Sequence, residues 1–255
     1  DLTGVAFPAK GSAASDGASG LCWMSPDELL VLVPYADAAN AVAQIDAALA
    51  GLGGKVDALF NCAGLPQTAP PMDVMKVNYI GTRYLSDQIL PLMAEGGAIA
   101  SISSTGGMGW SRKIPELLEF TALEGYETIL KWCEENPDIV REGYSLSKEA
   151  IIVWSLAASS KLIKRGIRIN CTLPAPTQTP MMDHFESATA SEVLDTFIQP
   201  IGRRATPDEQ ASPLLFLNSD AARYVNGVVL PVDGGFMGGV TTGQVDLSAL
   251  MPPAK

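Results

Sequence analysis

The fold is decided by the stretch Val56-Asp57-Ala58-Leu59-Phe60-Asn61-Cys62-Ala63-Gly64, an apolar run that ends in small residues. The run predicts a strand over Val56–Asn61 that is buried on both faces, as in a parallel sheet. Small residues after such a strand let the backbone approach a ligand at the carboxyl edge of the sheet, although they also suit a plain strand-to-helix turn. The stretch therefore predicts an α/β fold and a candidate ligand site beside Asn61.

Strand-like and helix-like runs alternate on both sides of this stretch. The predicted strands are residues 29–33, 56–61, 98–103, 167–172 and 227–232, and the predicted helices are residues 38–50, 79–93, 144–164 and 207–218. Such βαβ alternation predicts a doubly wound, Rossmann-like parallel sheet in a single domain over residues 1–255. Residues 10–20 lack apolar periodicity and predict a flexible surface loop. Residues 110–143 carry apolar side chains at helical spacing and predict a helical insertion, broken at Asn136-Pro137.

Composition excludes several classes of function. The chain has 255 residues, of which 47% are hydrophobic, and a formal charge of −11, so nucleic-acid and membrane-surface partners are not expected. No apolar run approaches the ~20 residues that span a bilayer. The single histidine, His184, excludes multi-histidine metal sites, and we expect no metal. Four scattered cysteines are typical of buried thiols in a reducing compartment, which favours the cytoplasm.

The candidate chemistry lies in Tyr144-Ser145-Leu146-Ser147-Lys148, at the start of an apolar helical run. Residues four apart leave the same face of a helix, so Tyr144 and Lys148 should lie one turn apart. A base that removes a hydroxyl proton must titrate near working pH, whereas a free tyrosine titrates near ~10. A neighbouring ammonium favours the phenolate, and we expect Lys148 to lower the pKa of Tyr144.

Three further motifs accompany this pair in a fixed order: Asn61-Cys62-Ala63-Gly64, then Val77-Asn78, then Ser103-Ser104. Each falls in its own structural context, after a strand or on a helix. Together with Tyr144 and Lys148, they resemble the short-chain dehydrogenase/reductase family. The resemblance implies that Tyr144 is the base and that Ser104, rather than Ser103, holds the substrate oxygen. It also implies that Lys148 binds the nicotinamide ribose and that Asn78 supports a water-linked proton path.

The resemblance also implies a dinucleotide site, with NAD favoured and NADP not excluded. Its implied contacts, besides Tyr144 and Lys148, are Asp1, Asn61, Ala63, Gly64, Pro174, Thr177 and Thr179. Ala175 stands where the family usually has glycine, which would be strained if φ were positive there. The family's Gly-x-x-x-Gly-x-Gly turn is not found, and Asp1 resembles the residue that ends the second strand. We therefore expect the chain to lack the first βαβ segment, about 30 residues.

Within the family, the sequence resembles a bacterial branch of hydroxysteroid and coniferyl-alcohol dehydrogenases, partly through its long insertion. The resemblance implies an NAD(P)-dependent interconversion of an alcohol and a carbonyl on a bulky apolar substrate. Apolar residues flanking the site could line a pocket or belong to core or interface packing: Met108, Trp110, Met181, Met182 and Phe185.

Two alternatives remain open. One is a non-catalytic family member that acts as a binding or structural subunit. The other is a hydrolase using Ser104 and His184, which lacks the usual Gly-x-Ser-x-Gly turn. We also expect a homo-oligomer, a dimer or a tetramer, because symmetric assemblies are common.

Overall fold

In the computed structural model of the protein, residues 13–15, 20–25, 28–32 and 55–250 are described. The chain divides into two compact units, Asp1–Val56 with Leu85–Leu92, and Asp57–Tyr84 with Met93–Lys255. The predicted helix over residues 38–50 lies outside the described residues, as does Asp1. The single domain over residues 1–255 stays a prediction.

The first unit contains an antiparallel sheet of three strands. They are β1 (Ala13–Ser15), β2 (Gly20–Ser25) and β3 (Glu28–Leu32), in the order β1-β2-β3. Two predictions need correction here. The predicted loop over residues 10–20 contains β1, and the predicted strand over residues 29–33 pairs antiparallel with β2 instead of joining the parallel sheet. A link of two residues between β2 and β3 explains the second correction, since parallel neighbours need a crossover of a dozen or more.

The second unit is built on a parallel sheet of four strands in the order β4-β5-β6-β7. The strands are β4 (Val56–Asn61), β5 (Met93–Ile102), β6 (Arg168–Pro174) and β7 (Val229–Val232). Ala98 of β5 pairs with Arg168 and Ile102 with Thr172, while Cys171 pairs with Val229 of β7. This pairing confirms the predicted parallel α/β fold. The apolar runs of β5 and β6 are buried, as expected for strands that are covered on both faces.

Helices connect and cover these strands. Their bounds are α1 (Pro71–Met75), a π-helical segment Lys76–Gly81, α2 (Thr82–Ile89), α3 (Ile114–Thr121), α4 (Tyr126–Glu135), α5 (Pro137–Val140), α6 (Tyr144–Leu162), α7 (Pro180–Ala188), α8 (Ser191–Thr196), α9 (Pro207–Asn218) and α10 (Phe236–Thr241). Short 3₁₀ turns cover Leu90–Leu92, Thr105–Arg112, Ile163–Arg165, Asp220–Ala222 and Ser248–Leu250. The predicted helix over residues 79–93 ends early, at Ile89, because Pro91 cannot continue it.

Helix α6 is the central helix of the second unit, and a glycine fixes where it begins. Gly143 precedes it with φ of 76°, and a side chain there would lie 2.5 Å from the carbonyl oxygen of Pro71. Only glycine fits both the backbone angle and the space. This tight junction places Tyr144 at the first position of the helix.

Both ends of α9 are satisfied by side chains. At its start, Thr206 and Glu209 form a capping box around Pro207. At its other end, the buried guanidinium of Arg168 donates to the carbonyl oxygens of Leu217 at 2.5 Å and Ser219 at 3.0 Å. Arg168 thereby ties the first residue of β6 to the end of α9.

The predicted insertion is helical, and its helices are α3, α4 and α5. An aromatic row joins it to the π-helical segment: Tyr79 packs on Phe120 at 5.2 Å between ring centroids, and Phe120 packs on Trp132 at 4.5 Å. Arg83 donates to the carbonyl oxygen of Thr121 at 2.9 Å and lies over the ring of Trp154, 5.6 Å from its centroid. The insertion is thus packed against α6, the helix that begins with Tyr144.

Candidate active site

The predicted catalytic residues lie where three parallel strands end. Strands β4, β5 and β6 finish at Asn61, Ile102 and Pro174, and in a parallel sheet these carboxyl ends share one edge. Ser104 follows β5 directly and opens the 3₁₀ turn Thr105–Arg112. Tyr144 opens α6, whose first turns pack against that 3₁₀ turn.

Ser104 and Tyr144 lie together. The Ser104 side chain hydrogen-bonds the Tyr144 phenol, and the Ser104 oxygen also accepts from the backbone N–H of Gly106 at 3.0 Å. A Cβ placed on Gly106 would be 3.1 Å from Cε1 of Tyr144 and 3.4 Å from Oγ of Ser104. The absence of a side chain at Gly106 is what lets this turn approach the phenol.

Ser103 has a different place. Its hydroxyl is buried and donates to the backbone carbonyl oxygen of Lys148 at 2.8 Å, while its N–H donates to Thr172 at 2.9 Å. Ser103 therefore joins β5 to α6 and β6, and it leaves Ser104 as the serine that faces the phenol.

Lys148 is buried beside Tyr144, as the four-residue spacing predicts. Its Nζ lies 5.6 Å from the centroid of the Tyr144 ring and donates to the carbonyl oxygen of Ile102 at 3.1 Å. Burial lowers the pKa of Lys148 to about 8, and the charge of Cys62 opposes that lowering. Below that pH the side chain carries its charge.

The pKa of Tyr144 is raised, contrary to the expected lowering. The residue as a whole is half-buried, but its hydroxyl is enclosed, and burial raises the pKa of Tyr144. The hydrogen bond with Ser104 opposes that rise. The physical reason for the difference is that desolvation of the phenolate outweighs its favourable interactions, since a charged form loses solvation in a closed site.

Asn78 lies in the π-helical segment and binds the backbone that follows β4. Its Oδ1 accepts from the N–H of Leu65 at 2.7 Å, and its Nδ2 donates to the carbonyl oxygen of Leu65 at 3.1 Å. A Cβ on Gly64 would lie 3.6 Å from Oδ1 of Asn78 and 3.8 Å from Nζ of Lys148. Asn78, Gly64 and Lys148 thus surround one small space.

The predicted cofactor residues lie at the same edge, with one exception. Asn61 donates to Oγ of Ser101 at 3.0 Å, within the sheet, and Ala63 is exposed at the end of β4. Pro174 is the last residue of β6. In the loop that follows, Thr177 donates to the carbonyl oxygen of Ala175 at 2.9 Å. Thr179 precedes α7 and contacts the carbonyl oxygen of Thr177 at 3.5 Å. Asp1 lies outside the described residues.

Ala175 is not strained. Among the non-glycine residues that the structure describes, Arg141 alone has positive φ, so Ala175 adopts an ordinary backbone angle. The alanine is therefore compatible with this loop.

Of the predicted pocket residues, Phe185 comes nearest to the candidate base. Its ring meets that of Tyr144 edge to face, with 5.3 Å between centroids. Met182, on the same helix α7, is buried, and Met108, Trp110 and Met181 are half-buried. His184 is exposed, and its Nδ1 lies 3.4 Å from Oγ1 of Thr68 and makes no hydrogen bond with Ser104. This arrangement does not favour a Ser-His hydrolase.

Sequence reasoning missed the contact that holds the 3₁₀ turn to α6. Lys113, at the end of the turn, donates to both carboxylate oxygens of Glu149 at 2.9 Å. The glycines at 106, 107 and 109 were the available signal, since three glycines so close together suit a near approach of two backbones.

Two negative findings concern the described part of the chain. It contains no helix that is both long and apolar enough to cross a membrane. In residues 55–250 and the short strands before them, no group of three or more His, Cys, Asp or Glu side chains is arranged to hold a metal ion.

Comparison with known proteins places this site in a family. A short chain dehydrogenase model matches residues 30–115, and an enoyl-(acyl carrier protein) reductase model matches residues 139–237. Coniferyl-alcohol dehydrogenase of Pseudomonas sp. strain HR199 is 35% identical over 192 residues, which are 75% of each chain. The 3-alpha-hydroxysteroid dehydrogenase/carbonyl reductase of Comamonas testosteroni is 32% identical over 187 residues, 71% of this chain and 72% of that protein.

Among solved structures, the 3-alpha-hydroxysteroid dehydrogenase from Pseudomonas sp. B-0831 complexed with NADH is similar to this chain, with a TM-score of 0.66 at 27% identity and 82% of each chain covered. With relatives at this identity and coverage, and with its motifs gathered at one edge of a parallel sheet, the chain belongs to the short-chain dehydrogenase/reductase family of oxidoreductases.

Proposed function

We propose that the chain is an NAD(P)-dependent alcohol dehydrogenase/carbonyl reductase acting on a bulky apolar substrate of the hydroxysteroid or aryl-alcohol type. The observation that carries the proposal is the meeting of Ser104, Tyr144 and Lys148 at the carboxyl ends of β4, β5 and β6. The names of the two curated relatives support the substrate class.

The described residues fit the nicotinamide end of a dinucleotide. Gly64 leaves open the small space beside Asn78 and Lys148, and the buried Lys148 ammonium is a donor suited to ribose hydroxyls. Ala63, Pro174, Thr177 and Thr179 would complete that end. The NADH in the similar solved structure supports NAD as the cofactor, and NADP remains an alternative.

Each side chain has a distinct task in alcohol oxidation. Tyr144 accepts the hydroxyl proton of the substrate, while Ser104 donates to the substrate oxygen and holds it against the phenol. Lys148 keeps a positive charge beside the phenol below about pH 8 and so favours its ionised form. A bound nicotinamide would supply the hydride acceptor for this oxidation. Asn78 fixes the turn after β4 and supports the water-linked path that returns the proton to solvent.

The test is a steady-state assay with the purified chain. Absorbance of the reduced nicotinamide is followed with NAD or NADP and three alcohols: a cinnamyl-type aryl alcohol, a 3α-hydroxysteroid and ethanol. We expect turnover of a bulky alcohol, a preference for NAD and negligible turnover of ethanol. Cofactor binding without turnover of any alcohol or of the matching ketones would instead support the non-catalytic binding subunit.

Two further parts of the proposal rest on sequence reasoning, namely a cytoplasmic location and assembly as a homo-oligomer, either a dimer or a tetramer.

A further inference from the structure

One buried carboxylate beside the site has no place in the proposed chemistry. Glu149 follows Lys148 on α6, and its side chain is only 3% exposed. Its partner, Lys113, has a side chain that is 53% exposed and donates to both carboxylate oxygens at 2.9 Å. A buried carboxylate is costly unless it is paired, so this contact is strongly specified by the structure.

The pair closes a continuous line of contacts between two stretches of chain. The stretch 103–113 lies against the first turns of α6, between Tyr144 and Glu149. Its contacts, in order, are the Ser103 hydroxyl on the Lys148 carbonyl oxygen, Gly106 against the Tyr144 ring, Gly107 against the backbone of Lys148 and Glu149, Gly109 against the Glu149 carboxylate, and Lys113 on that carboxylate. Ser104 lies inside this line.

Between Thr105 and Lys113, the glycines at 106, 107 and 109 have no side chains that could bind α6. A Cβ on Gly107 would lie 3.0 Å from the carbonyl carbon of Lys148, and one on Gly109 would lie 2.7 Å from Oε1 of Glu149. Close approach is thus permitted by glycine, but glycine contributes no anchor of its own. The polar side-chain anchors to α6 are Ser103 at one end and Lys113 at the other, whereas Thr105 holds the stretch to β6 by donating to the carbonyl oxygen of Pro174 at 3.2 Å.

We propose that Glu149 and Lys113 are positioning residues, whose ion pair holds the Ser104 turn in register with Tyr144. The inference rests on the proposed function, because it assigns to the pair the task of aligning the serine that would hold the substrate oxygen. Lys113 also precedes the first helix of the insertion, so the same contact couples the docking of the insertion to the alignment of Ser104.

The main test compares Lys113→Gln with Lys113→Arg and with the control Lys131→Gln. Lys131 lies on the insertion and pairs with the exposed Glu135 at 3.7 Å. In Lys113→Gln we expect kcat at neutral pH to fall on the order of tenfold, with little change in the Kd for reduced cofactor, because a small misplacement of a positioning group is costly to the rate. Lys113→Arg should restore kcat, since a guanidinium can also bind both oxygens.

A pH profile separates positioning from mere loss of stability. If Ser104 is displaced, the hydrogen bond that lowers the pKa of Tyr144 weakens, and the rate of alcohol oxidation should rise at a higher pH than in the wild type. Lys148 and Cys62, which interact with each other beside the phenol, are retained in every variant. A wild-type kcat and pH profile for Lys113→Gln, or the same shift in Lys131→Gln, would overturn the inference.

A second measurement does not depend on turnover. The phenolate absorbance of Tyr144 is obtained as the difference between each protein and its Tyr144→Phe counterpart across pH. A higher pKa of Tyr144 in Lys113→Gln or Glu149→Gln supports the inference, and an unchanged value overturns it. If the wild type turns over no alcohol while this shift is present, the proposed function fails and the positioning role stands.

Discussion

At the scale of single residues, the site brings together a phenol, a serine hydroxyl and an ammonium. The surroundings of the phenol and of the ammonium oppose their charged forms. Burial raises the pKa of Tyr144 and lowers that of Lys148 to about 8. Desolvation is thus the largest contribution for both groups, and the contact with Ser104 only moderates it for the phenol. The proposed chemistry needs a phenolate and an ammonium in a buried site, where the charged forms lose solvation, as in many active sites.

The phenol is the first group to test. Tyr144→Phe removes only the hydroxyl. Turnover should fall by roughly 10²–10⁴-fold while the fold is kept, because the candidate base is lost. Steady-state kinetics with a reactive alcohol, together with circular dichroism, would check both parts. A kcat within a few-fold of the wild type would exclude Tyr144 as the base.

The buried lysine should lower stability below its pKa. The unfolded chain regains a lysine pKa near 10.5, so between pH 8 and pH 10.5 it binds more protons than the folded chain, and stability should rise with pH across that window. Lys148→Met removes the cost and should stabilise the protein at pH 7 by roughly 3 kcal/mol or less, while abolishing turnover. The gain should disappear above pH 10.5.

Thermal unfolding at several pH values measures this effect. Lys161→Met is a matched control, because Lys161 is an exposed lysine of the same helix. If Lys148→Met melts below the wild type at pH 7, burial of the ammonium is not a net cost.

At the scale of elements, the sequence predicted the strands better than their partners. The apolar runs at residues 56–61, 98–103 and 167–172 identify β4, β5 and β6, because two-sided burial leaves a clear signal. The run at residues 29–33 has the same apolar character, yet β3 pairs antiparallel with β2. Which strand β3 pairs with depends on the length of the turn between β2 and β3, and the apolar pattern of β3 carries no information about that turn.

The candidate site shows the same division between what local sequence patterns predict and what depends on packing between distant elements. The ordered motifs named Ser104, Tyr144, Lys148 and Asn78, because their spacing on strands and helices fixes where they lie. They could not reveal the ion pair of Lys113 and Glu149, since residues 36 apart meet only once α6 and the 3₁₀ turn are packed together. The pKa of Tyr144 was likewise misjudged, because desolvation depends on the closed site as a whole.

The close approach of the 3₁₀ turn to α6 can be tested by adding one methyl group. In Gly107→Ala the new Cβ would lie 3.0–3.1 Å from the backbone of Lys148 and Glu149, so the turn must shift. We expect a loss of 1–3 kcal/mol in stability and a lower kcat, because overpacking moves Ser104 away from Tyr144. Gly238→Ala is the control, since its Cβ has open space within a helix and should be neutral or slightly stabilising. Equal stability and kcat in Gly107→Ala would show that the packing is loose.

At the scale of the whole molecule, stability depends on buried polar groups as well as on the apolar core. The Arg168 guanidinium donates hydrogen bonds to the carbonyl oxygens of Leu217, Ser219 and Val225 at distances of 2.5, 3.0 and 3.4 Å. It thereby connects β6, the end of α9 and the segment before β7. Each of these carbonyls would be left without this donor if the guanidinium were removed.

Arg168→Met should therefore lower the free energy of unfolding by about 2–4 kcal/mol, because the buried carbonyl oxygen of Leu217 and the partly buried ones of Ser219 and Val225 lose a charged donor. Urea denaturation measures the loss, and Lys131→Met provides a control at an exposed ion pair, where little change is expected. A midpoint for Arg168→Met equal to that of the wild type would mean that other donors replace the guanidinium.

The location of Lys113 has a consequence for protein engineering. This one residue follows the 3₁₀ turn that begins after Ser104 and precedes the first helix of the insertion, so the boundary between the candidate catalytic residues and the inserted helices runs through a charged anchor. Exchanging the inserted helices between relatives to alter selectivity would then require a cation at that boundary. A chimera that omits it would bind its new alcohol yet hold the reacting oxygen in the wrong place.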